Sequence, residues 1–205
     1  MKTKEHWEDV YRSRAETEVS WFQGHARLSL KLIRDMGVTA HAAIIDVGGG
    51  ASTLVDDLLL DGYRRITVLD LSGAALSAAR ARLGAMAERV QWLEANLLDA
   101  ELPEHAYDVW HDRAVFHFLT RVEDRRAYVQ QVLRTVRPGG LVIVATFAED
   151  GPTRCSGLPV MRYAPAELQA EFGEPFEPLG HERESHQTPS GKEQKFVYCF
   201  FRRAD

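Results

Sequence analysis

A glycine-rich segment between two acidic residues is the part of the chain best suited to binding a small ligand. Asp46 precedes three consecutive glycines, from Gly48 to Gly50, and Asp70 closes the next apolar run. Glycine permits backbone conformations and close ligand approach that a Cβ atom would prevent. An ionised carboxylate such as that of Asp70 can accept hydrogen bonds from both hydroxyls of a ribose. The pattern therefore predicts a nucleoside-binding turn.

The charge of Asp46 and the glycine spacing favour a nucleoside without a pyrophosphate. A dinucleotide-binding turn has the pattern G-x-G-x-x-G, and Thr53 stands where its third glycine would be. A carboxylate beside phosphates costs Coulomb energy, whereas a carboxylate beside an amine gains it. S-adenosylmethionine has a ribose, a positive amine and no phosphate, so it is the predicted ligand. An NAD-dependent oxidoreductase is the least favoured alternative.

Hydrophobic periodicity places this turn between a buried strand and a helix. Residues 43–47 form an apolar run of the length of a buried parallel strand, and residues 53–60 have helical spacing. Two polar-apolar alternations around a Pro-Ser-Gly turn predict an antiparallel hairpin near the end of the chain. The further predicted strands are residues 65–70, 90–94, 107–111 and 141–147, and the hairpin strands are residues 175–184 and 194–202.

Four motifs, taken in order along the chain, resemble those of the class I S-adenosylmethionine-dependent methyltransferases. They are Asp46-Val47-Gly48-Gly49-Gly50 with Asp70, then Asn96, then Tyr107-Asp108-Val109, and finally Arg137-Pro138-Gly139-Gly140. The resemblance covers residues 40–147. It implies a Rossmann-like α/β sandwich with a mostly parallel seven-stranded sheet, an antiparallel C-terminal hairpin and helices on both faces.

Length and composition are those of one globular domain, because the chain has 205 residues, of which 45% are hydrophobic and 27% charged. We divide it into an N-terminal helical lid (residues 1–37), a cofactor-binding core (40–147) and an acceptor-side loop with the C-terminal hairpin (148–205). The net charge of −5 gives no reason to expect a nucleic-acid partner. No run approaches the roughly 18 apolar residues of a membrane helix, and no signal region follows the N-terminus. We therefore expect a cytoplasmic protein without a membrane partner.

The cofactor contacts are predicted partly from residue chemistry and partly from the resemblance. Tyr11 and Trp21 lie in an aromatic-rich N-terminal segment, where they could wall the sulfonium as part of a lid, since aromatic faces attract cations. A helix that only packs on the sheet is the alternative. The resemblance implies that Asn96, with Asp99 as a second candidate, accepts from the adenine amine, and that Asp112 contacts the methionine end. The complete predicted set is Tyr11, Trp21, Asp46, Gly48, Gly50, Asp70, Leu71, Asn96, Leu97 and Asp112.

Candidate catalytic residues follow the fourth predicted strand, in the sequence His111-Asp112-Arg113. Ligands of open α/β sheets bind outside the carboxyl ends of the strands, so this triplet is expected near the site. His111 is the first candidate for a general base and His117 the second, with Asp112 available to orient one of them. An Asp112–Arg113 surface pair and a core histidine at 117 are the alternatives.

The acceptor side is predicted to include the long irregular segment at residues 148–163, since loops of this length are often functional. Cys155 is a candidate acceptor-side residue, because the neighbouring Arg154 could lower the pKa of its thiol. Arg113 and Tyr163 complete the predicted substrate-binding set. The two cysteines, Cys155 and Cys199, form no C-x-x-C pair, and no metal site is expected.

The leading prediction of function is methyl transfer from S-adenosylmethionine to an S or N nucleophile of a small-molecule acceptor, with S-adenosylhomocysteine as the product. Methylation of a protein lysine is the alternative within enzymes, because Asp112-Arg113 and the aromatic N-terminal segment resemble a branch that includes protein-lysine methyltransferases. Glu16 and Glu18 could then steer a cationic peptide. A non-catalytic S-adenosylmethionine-binding module is the alternative of another class. We expect a monomer or a weak homodimer.

Overall fold

The computed structural model describes residues 4–205, so residues 1–3 of the predicted lid lie outside it. The α-helices in this range are α1 (Lys4–Ser13), α2 (Arg27–Asp35), α3 (Leu54–Leu60), α4 (Gly73–Leu83), α5 (Val122–Thr135) and α6 (Pro165–Phe172). The strands are β1 (Ala43–Val47), β2 (Arg65–Asp70), β3 (Val90–Glu94), β4 (Tyr107–Arg113), β5 (Val136–Phe147), β6 (Arg154–Cys155), β7 (Leu158–Pro159), β8 (Phe176–Gln187) and β9 (Glu193–Arg203). Single 3₁₀ segments are Glu16–Glu18, Gly84–Arg89 and Phe116–Phe118.

Seven of these strands form one sheet in the order β3-β2-β1-β4-β5-β9-β8. The first five are parallel to one another, and β9 runs antiparallel between β5 and β8. The predicted Rossmann-like sandwich with its antiparallel hairpin is therefore confirmed. The hairpin strands are longer than the sequence pattern indicated, and a bulge lies between Pro178 and Gly180 of β8. The sheet places the carboxyl ends of β1, β2 and β4 side by side, which is where a ligand of such a sheet binds.

Two hydrophobic cores lie on opposite faces of the sheet. Successive side chains of a strand point to opposite faces, so Ile45 and Val47 pack with α5 and α6, whereas Ile44 packs with α2, α3 and α4. Both isoleucines are completely buried. Such double burial explains why the parallel strands read as continuous apolar runs.

The N-terminal helix α1 belongs to neither core. None of its residues is completely buried, although Trp7 and Tyr11 are partly covered, and it contacts α4. The carboxylate of Glu8 accepts a hydrogen bond of 3.3 Å from the backbone amide of Ala74, in the first turn of α4. An acidic side chain at that end of a helix is favourable because it meets free amide groups and the positive end of the helix dipole. The helix therefore lies at the sheet's rim, where a lid would be.

The segment from 148 to 163, predicted to be irregular, contains the short antiparallel pair β6 and β7. Its connecting residues are Ser156 and Gly157, both with positive φ. The backbone amide of Met161 donates to the carbonyl of His117, so the segment is attached to the 3₁₀ segment Phe116–Phe118. Its Cys155 lines one of the cavities described below.

Candidate functional site

The glycine turn after β1 is closely packed against the neighbouring strand ends. Gly48 has φ +65° and Gly50 has φ +39°, conformations that residues with a Cβ atom rarely adopt. A Cβ atom on Gly48 would lie 2.0 Å from Cγ2 of Val115, and one on Gly50 would lie 2.7 Å from Oδ2 of Asp70. The amide of Gly48 donates to the carbonyl of Leu69 at 2.7 Å, which joins the turn to β2. Only glycine fits at these two positions.

Two adjoining cavities border this turn and share Tyr11, Trp21, Gly48 and Arg113. The first, which we call the lid cavity, is also lined by Trp7, Asp70, Leu71, Leu97, Phe118 and Cys155. The second, which we call the strap cavity, is also lined by Phe22, Gln23, Asp46, Ser52 and His111. Together they bring most of the predicted cofactor-binding residues to one place.

Asp70 lies in the lid cavity at the end of β2. Its side chain accepts a hydrogen bond of 2.8 Å from the amide of Ser72. Burial raises the pKa of this carboxyl to about 7, and the charge of Asp46 acts in the same direction, while the hydrogen bond from Ser72 opposes both. A buried acid with a raised pKa in a cavity is typical of a functional position. Its contact with a ribose stays a prediction.

Asp46 and His111 are opposite one another in the register of β1 and β4. Nδ1 of His111 lies 2.7 Å from Oδ1 of Asp46, and Nε2 lies 2.8 Å from Oγ of Ser29 in α2. All three side chains are buried. Oδ2 of Asp46 is also buried and has no hydrogen-bond partner within residues 4–205. The two nitrogens of His111 are therefore occupied, while one carboxylate oxygen beside the strap cavity is available.

The predicted aromatic residues Tyr11 and Trp21 line both cavities. Nε1 of Trp21 donates a hydrogen bond of 3.2 Å to Oη of Tyr11, and the two rings meet edge to face. Trp7 extends the cluster, with its ring centroid 5.9 Å from that of Trp21 and 5.1 Å from that of Phe118. Burial raises the pKa of the Tyr11 phenol, so this residue is neutral. The cluster covers the glycine turn from the solvent side.

Residues 19–23, which we call the strap, are fastened to the C-terminal hairpin. Arg113 donates to the carbonyl of Trp21 at 3.1 Å, to Oη of Tyr198 at 2.9 Å and to Oε2 of Glu184 at 3.1 Å. His186 adds a hydrogen bond of 2.9 Å to the carbonyl of Ser20. The guanidinium of Arg113 is thus committed to three oxygens. Its predicted contact with the substrate stays a prediction.

Asp112 lines neither cavity, so the structure does not support the predicted contact between Asp112 and the methionine end of the cofactor. Its carboxylate accepts hydrogen bonds from the amides of Val115 and Phe116, at 2.9 and 3.0 Å, and from Oη of Tyr128 at 2.6 Å. Residues of a strand alternate between faces, so Asp112 points away from the face that carries His111. It stabilises the turn that follows β4.

Asn96 also lies outside the lining of both cavities, whereas Leu97 lines the lid cavity. The side-chain amide of Asn96 donates to Asp99, and its oxygen lies 3.4 Å from the amide of Leu98. Asp99, the second candidate, is therefore engaged in the same turn. The contact of Asn96 or Asp99 with the adenine amine stays a prediction.

His117 is a core histidine, which corrects its prediction as a second general base. Its side chain is fully buried and lines neither cavity. Its ring packs 4.8 Å from that of Phe147. Burial lowers the pKa of the imidazole to about 3, and the positive charge of Arg113 acts in the same direction. A group that holds a proton so weakly is a poor general base at neutral pH.

Of three residues predicted on the acceptor side, the structure places one in the lining of a cavity and two elsewhere. Cys155 lines the lid cavity, but Tyr163 and Arg154 line neither cavity. Tyr163 is buried against Phe116, with its Oη 3.3 Å from Glu171. Arg154 is exposed and donates to the carbonyl of Gly157 at 2.8 Å. Both residues support local structure, because one belongs to the core and the other closes the turn between β6 and β7.

No pattern in the sequence indicated that four further residues lie at the site. Ser29, Glu184, His186 and Tyr198 reach the site only through sheet order and helix placement. Ser29 comes from α2, which precedes the glycine turn, and the other three come from the hairpin, more than 120 residues after it. Alternation along β9 could have indicated that Tyr198 and Phe196 share a face, but it does not reveal that this face meets β4.

Residues 44–140 match the family model described as the methyltransferase domain. This match identifies residues 44–140 as a class I S-adenosylmethionine-dependent methyltransferase domain, and the relatives and the solved structure below support it. An uncharacterized methyltransferase of Mycobacterium tuberculosis is 32% identical over 118 residues, which are 56% of this chain and 54% of that protein. The chain thus spans about half the length of this curated relative. The EEF1A lysine methyltransferase 2 of Danio rerio is 23% identical over 162 residues, which are 71% of this chain and 69% of that protein.

A solved structure shares the fold of this methyltransferase domain. It is the 1,6-didemethyltoxoflavin-N1-methyltransferase of Burkholderia thailandensis, with 1,6-didemethyltoxoflavin and S-adenosylhomocysteine bound. The TM-score is 0.68 at 20% identity, over 98% of this chain and 84% of that one. The prediction of S-adenosylmethionine as the cofactor is confirmed by the family. The residues fit it, since Oδ2 of Asp46 has no hydrogen-bond partner among residues 4–205 and the glycine turn leaves room that a Cβ atom would fill.

Two further properties of the methyltransferase domain concern metals and membranes. Among residues 4–205 there is no cluster of three or more histidine, cysteine or acidic side chains that could hold a metal ion. None of the helices described in that range combines the length and the apolar composition needed to cross a lipid bilayer.

Cys155 of this methyltransferase should be unreactive in the folded protein. Burial raises the pKa of its thiol to about 12, although the positive charge of Arg113 acts in the opposite direction. The predicted lowering of this pKa by Arg154 is not found, and Arg154 instead donates a hydrogen bond to Gly157. At pH 8 we expect iodoacetamide to alkylate it at least about 100-fold more slowly than it alkylates the same cysteine in urea, because only the thiolate reacts. Mass spectrometry of quenched samples measures both rates. Comparable rates in the two states would show that the thiol is exposed or ionised.

Proposed function

We propose that this chain transfers the methyl group of S-adenosylmethionine to a sulfur or nitrogen atom of a small-molecule acceptor. The observation that carries the proposal is the unlike chemistry of the residues that line the lid cavity. Asp70, Leu71 and Leu97 lie at or after the ends of β2 and β3 and suit adenosine, whereas Phe118, which follows β4 on the other side of β1, supplies with Trp7 and Cys155 an aromatic and apolar lining. This lining adjoins the carboxyl end of β4, next to the turn that would hold the methionine part.

Methyl transfer from a sulfonium is an in-line displacement, and the cofactor supplies the activated methyl group through its own positive charge. The protein therefore has to align the acceptor atom with the methyl group and to exclude water from the site. Asp70 would accept from the ribose hydroxyls, and Asp46 would accept from the amine of the methionine part. Tyr11 and Trp21 would cover the sulfonium, since aromatic rings attract a cation more strongly in a dry site.

The positions of the two histidines do not support a general base. Both nitrogens of His111 are hydrogen-bonded, and His117 is buried in the core. A thiol of ordinary pKa is partly ionised near pH 8, so it needs little help to become a nucleophile. This chemistry favours an acceptor that reaches the site as a thiolate or a neutral amine, with an apolar body that packs against the lid-cavity side of Trp7 and Phe118.

Methylation of a protein lysine is the second candidate, and the similarity to the EEF1A lysine methyltransferase 2 of Danio rerio favours it. The acidic residues that were expected to steer a lysine have other partners. Glu16 pairs with Arg82, and Glu18 accepts a hydrogen bond from the amide of Ala15. The small-molecule acceptor therefore remains our first proposal.

Turnover with matched acceptor panels tests this function. We expect S-adenosylhomocysteine to form from S-adenosylmethionine with small aromatic or alkyl thiols and heteroaromatic amines, and not with lysine peptides. Phe118→Ala should lower kcat/KM for such an acceptor by about 10–100-fold, because a buried phenyl contact is worth roughly 1.5–3 kcal/mol. Leu60→Ala is the control, since Leu60 is 74% exposed on α3 and should leave kcat/KM unchanged.

The other outcomes separate the alternatives. Turnover with lysine peptides alone would replace the first proposal by the second. Cofactor binding without turnover on any panel would favour a non-catalytic binding module. Binding of NAD in place of S-adenosylmethionine would overturn the whole assignment.

We further propose that residues 1–205 act as one domain, in the cytoplasm, as a monomer or a weak homodimer. The continuous seven-stranded sheet supports a single domain. Both cysteines are free and buried, which suits a reducing compartment. Sedimentation at several protein concentrations measures the oligomeric state.

A further inference from the structure

A row of three hydrogen-bonded side chains crosses the base of the strap cavity. It runs from Ser29 in α2 through His111 in β4 to Asp46 in β1, with separations of 2.8 and 2.7 Å. Each of the three residues is at least 98% buried. His111 and Asp46 line the strap cavity, whereas Ser29 does not. The row therefore ends at the cavity with the carboxylate.

The order of donors along the row follows from hydrogen-bond chemistry. A carboxylate can only accept, so Nδ1 of His111 donates to Oδ1 of Asp46. In the neutral ring Nε2 is then an acceptor, and the hydroxyl of Ser29 donates to it. This arrangement fixes one tautomer and one orientation of the imidazole. It also uses one oxygen of Asp46 and leaves the other free.

The free oxygen is the observation that points to a ligand. Oδ2 of Asp46 is buried without a hydrogen-bond partner within residues 4–205, beside the strap cavity. A buried carboxylate oxygen without a donor costs free energy, because it has lost its water. A donor with positive charge, such as a primary ammonium group, would satisfy it best.

A nucleophilic role for Ser29 does not fit this geometry, although serine, histidine and aspartate are the members of a hydrolytic triad. The nucleophile of such a triad must reach its substrate. Ser29 is buried in α2 and lines neither cavity, whereas Asp46 and His111 both line the strap cavity. In a hydrolytic triad the serine faces the substrate, whereas here the aspartate end of the row faces the cavity and the serine end does not.

We propose that Ser29 and His111 are positioning residues that hold Asp46 with Oδ2 turned toward the amine of the methionine part of the cofactor. This inference rests on the proposed function, because the amine is part of S-adenosylmethionine, the methyl donor in that function. His111 is then no general base. Its imidazole holds Oδ1, and Ser29 holds the imidazole. Loss of either residue leaves the carboxylate free to rotate and weakens its contact with the amine.

Calorimetry with two ligands tests the proposal. S-adenosylhomocysteine carries the amine, whereas 5′-deoxy-5′-methylthioadenosine has the same adenosine and thioether but lacks the amino-acid end. We expect His111→Leu to weaken binding of S-adenosylhomocysteine by about 10–100-fold and to leave binding of the second ligand within about twofold. Ser29→Ala should give a smaller loss of about 3–10-fold, again for the first ligand only.

Conservative and control variants separate positioning from general damage. The amide of His111→Asn can still donate to Oδ1 of Asp46, so it should recover part of the affinity that His111→Leu loses. His117→Asn is the matched control, because His117 is equally buried near the end of β4 but lines neither cavity. It should change the affinities for the two ligands by the same factor.

Three results would overturn the proposal. One is an equal loss of affinity for both ligands in the His111 and Ser29 variants, which would indicate structural damage alone. Another is unchanged affinity for S-adenosylhomocysteine in His111→Leu. The third is a wild-type protein that binds neither ligand, and this result alone would also overturn the proposed function.

Discussion

Replacement of Gly48 by alanine is expected to abolish measurable cofactor binding. The backbone at this position has φ +65°, and the new Cβ atom would lie 2.0 Å from Cγ2 of Val115. The conformation costs about 1–2 kcal/mol for a residue with a Cβ atom, and the overlap costs about 1–3 kcal/mol more. Relief of the overlap requires the glycine turn to move, so the affinity for S-adenosylmethionine should fall by at least about 100-fold. Calorimetry and urea unfolding measure the two effects.

Two companion variants separate the conformational cost from the overlap. Gly37→Ala has the same backbone demand, with φ +71°, but its Cβ atom would meet nothing within 4 Å. It should lose only about 1–2 kcal/mol of the free energy of unfolding and keep normal cofactor affinity. Val115→Ala removes the overlapping methyl group, so in the double variant with Gly48→Ala part of the lost affinity should return. Absence of any recovery would mean that the contact with Val115 is not what excludes a side chain at this position.

Removal of the charge of Asp70 is the second large effect that we expect. Asp70→Asn keeps the shape of the side chain and loses the carboxylate that would accept from both ribose hydroxyls. A hydrogen bond to a charged group contributes about 1–3 kcal/mol, so the affinity should fall by about 5–150-fold. Asp99→Asn is the matched control, since Asp99 is an acid close in sequence to the site whose side chain lines neither cavity. Unchanged affinity in Asp70→Asn would remove this residue from the site.

The raised pKa of Asp70 also makes cofactor affinity depend on pH. Burial brings this pKa to about 7, so about one tenth of the carboxyls are ionised at pH 6 and about nine tenths at pH 8. Because the ribose hydroxyls need the ionised form as an acceptor, wild-type affinity should rise about tenfold between these pH values. The same titration in Asp70→Asn should be flat over this range. A tenfold rise that persists in Asp70→Asn would assign the titration to another group.

The same shift has the opposite consequence for the stability of the protein without ligand. Between the ordinary pKa of 3.8 and the raised value of about 7, the folded state keeps a proton on Asp70 that the unfolded chain has lost. The unfolded state binds fewer protons there, so this group lowers the free energy of unfolding as the pH rises through that range. Cofactor binding and stability therefore respond to pH in opposite directions at this residue.

The cofactor-binding strand and turn could be predicted because their signals are local. Gly48, Gly50 and Asp70 are constrained by backbone conformation and close packing with their immediate neighbours, which spacing reveals. The orientation of the triplet at the end of β4 was harder to predict, because the register with β1 decides which face of the sheet each side chain occupies. His111 pairs with Asp46 in that register and shares its face, so Asp112 must take the other. The sequence indicated that the triplet was near the site but not which member pointed into it.

The contacts that fasten the strap could not be predicted, because they join segments about 70 to 170 residues apart. Arg113 reaches Glu184 and Tyr198, and His186 reaches Ser20. No periodicity within either segment indicates such a partner, since the pairing arises only when β9 enters the sheet beside β5. The buried state of Cys155 has the same origin. The sequence placed it in a long irregular segment, and only the pairing of β6 with β7 and the packing of that pair bury its side chain.

The fastening of the strap has a consequence for a chain growing on the ribosome. The glycine turn, Asp46 and Asp70 emerge more than 100 residues before Glu184, His186 and Tyr198. The strand that carries Tyr198 lies inside the sheet, between β5 and β8, so that edge of the sheet stays open until residues 176–203 have been made. A nascent protein therefore exposes the glycine turn before the residues that fasten the strap over it exist. Tight retention of the cofactor has to wait for the hairpin.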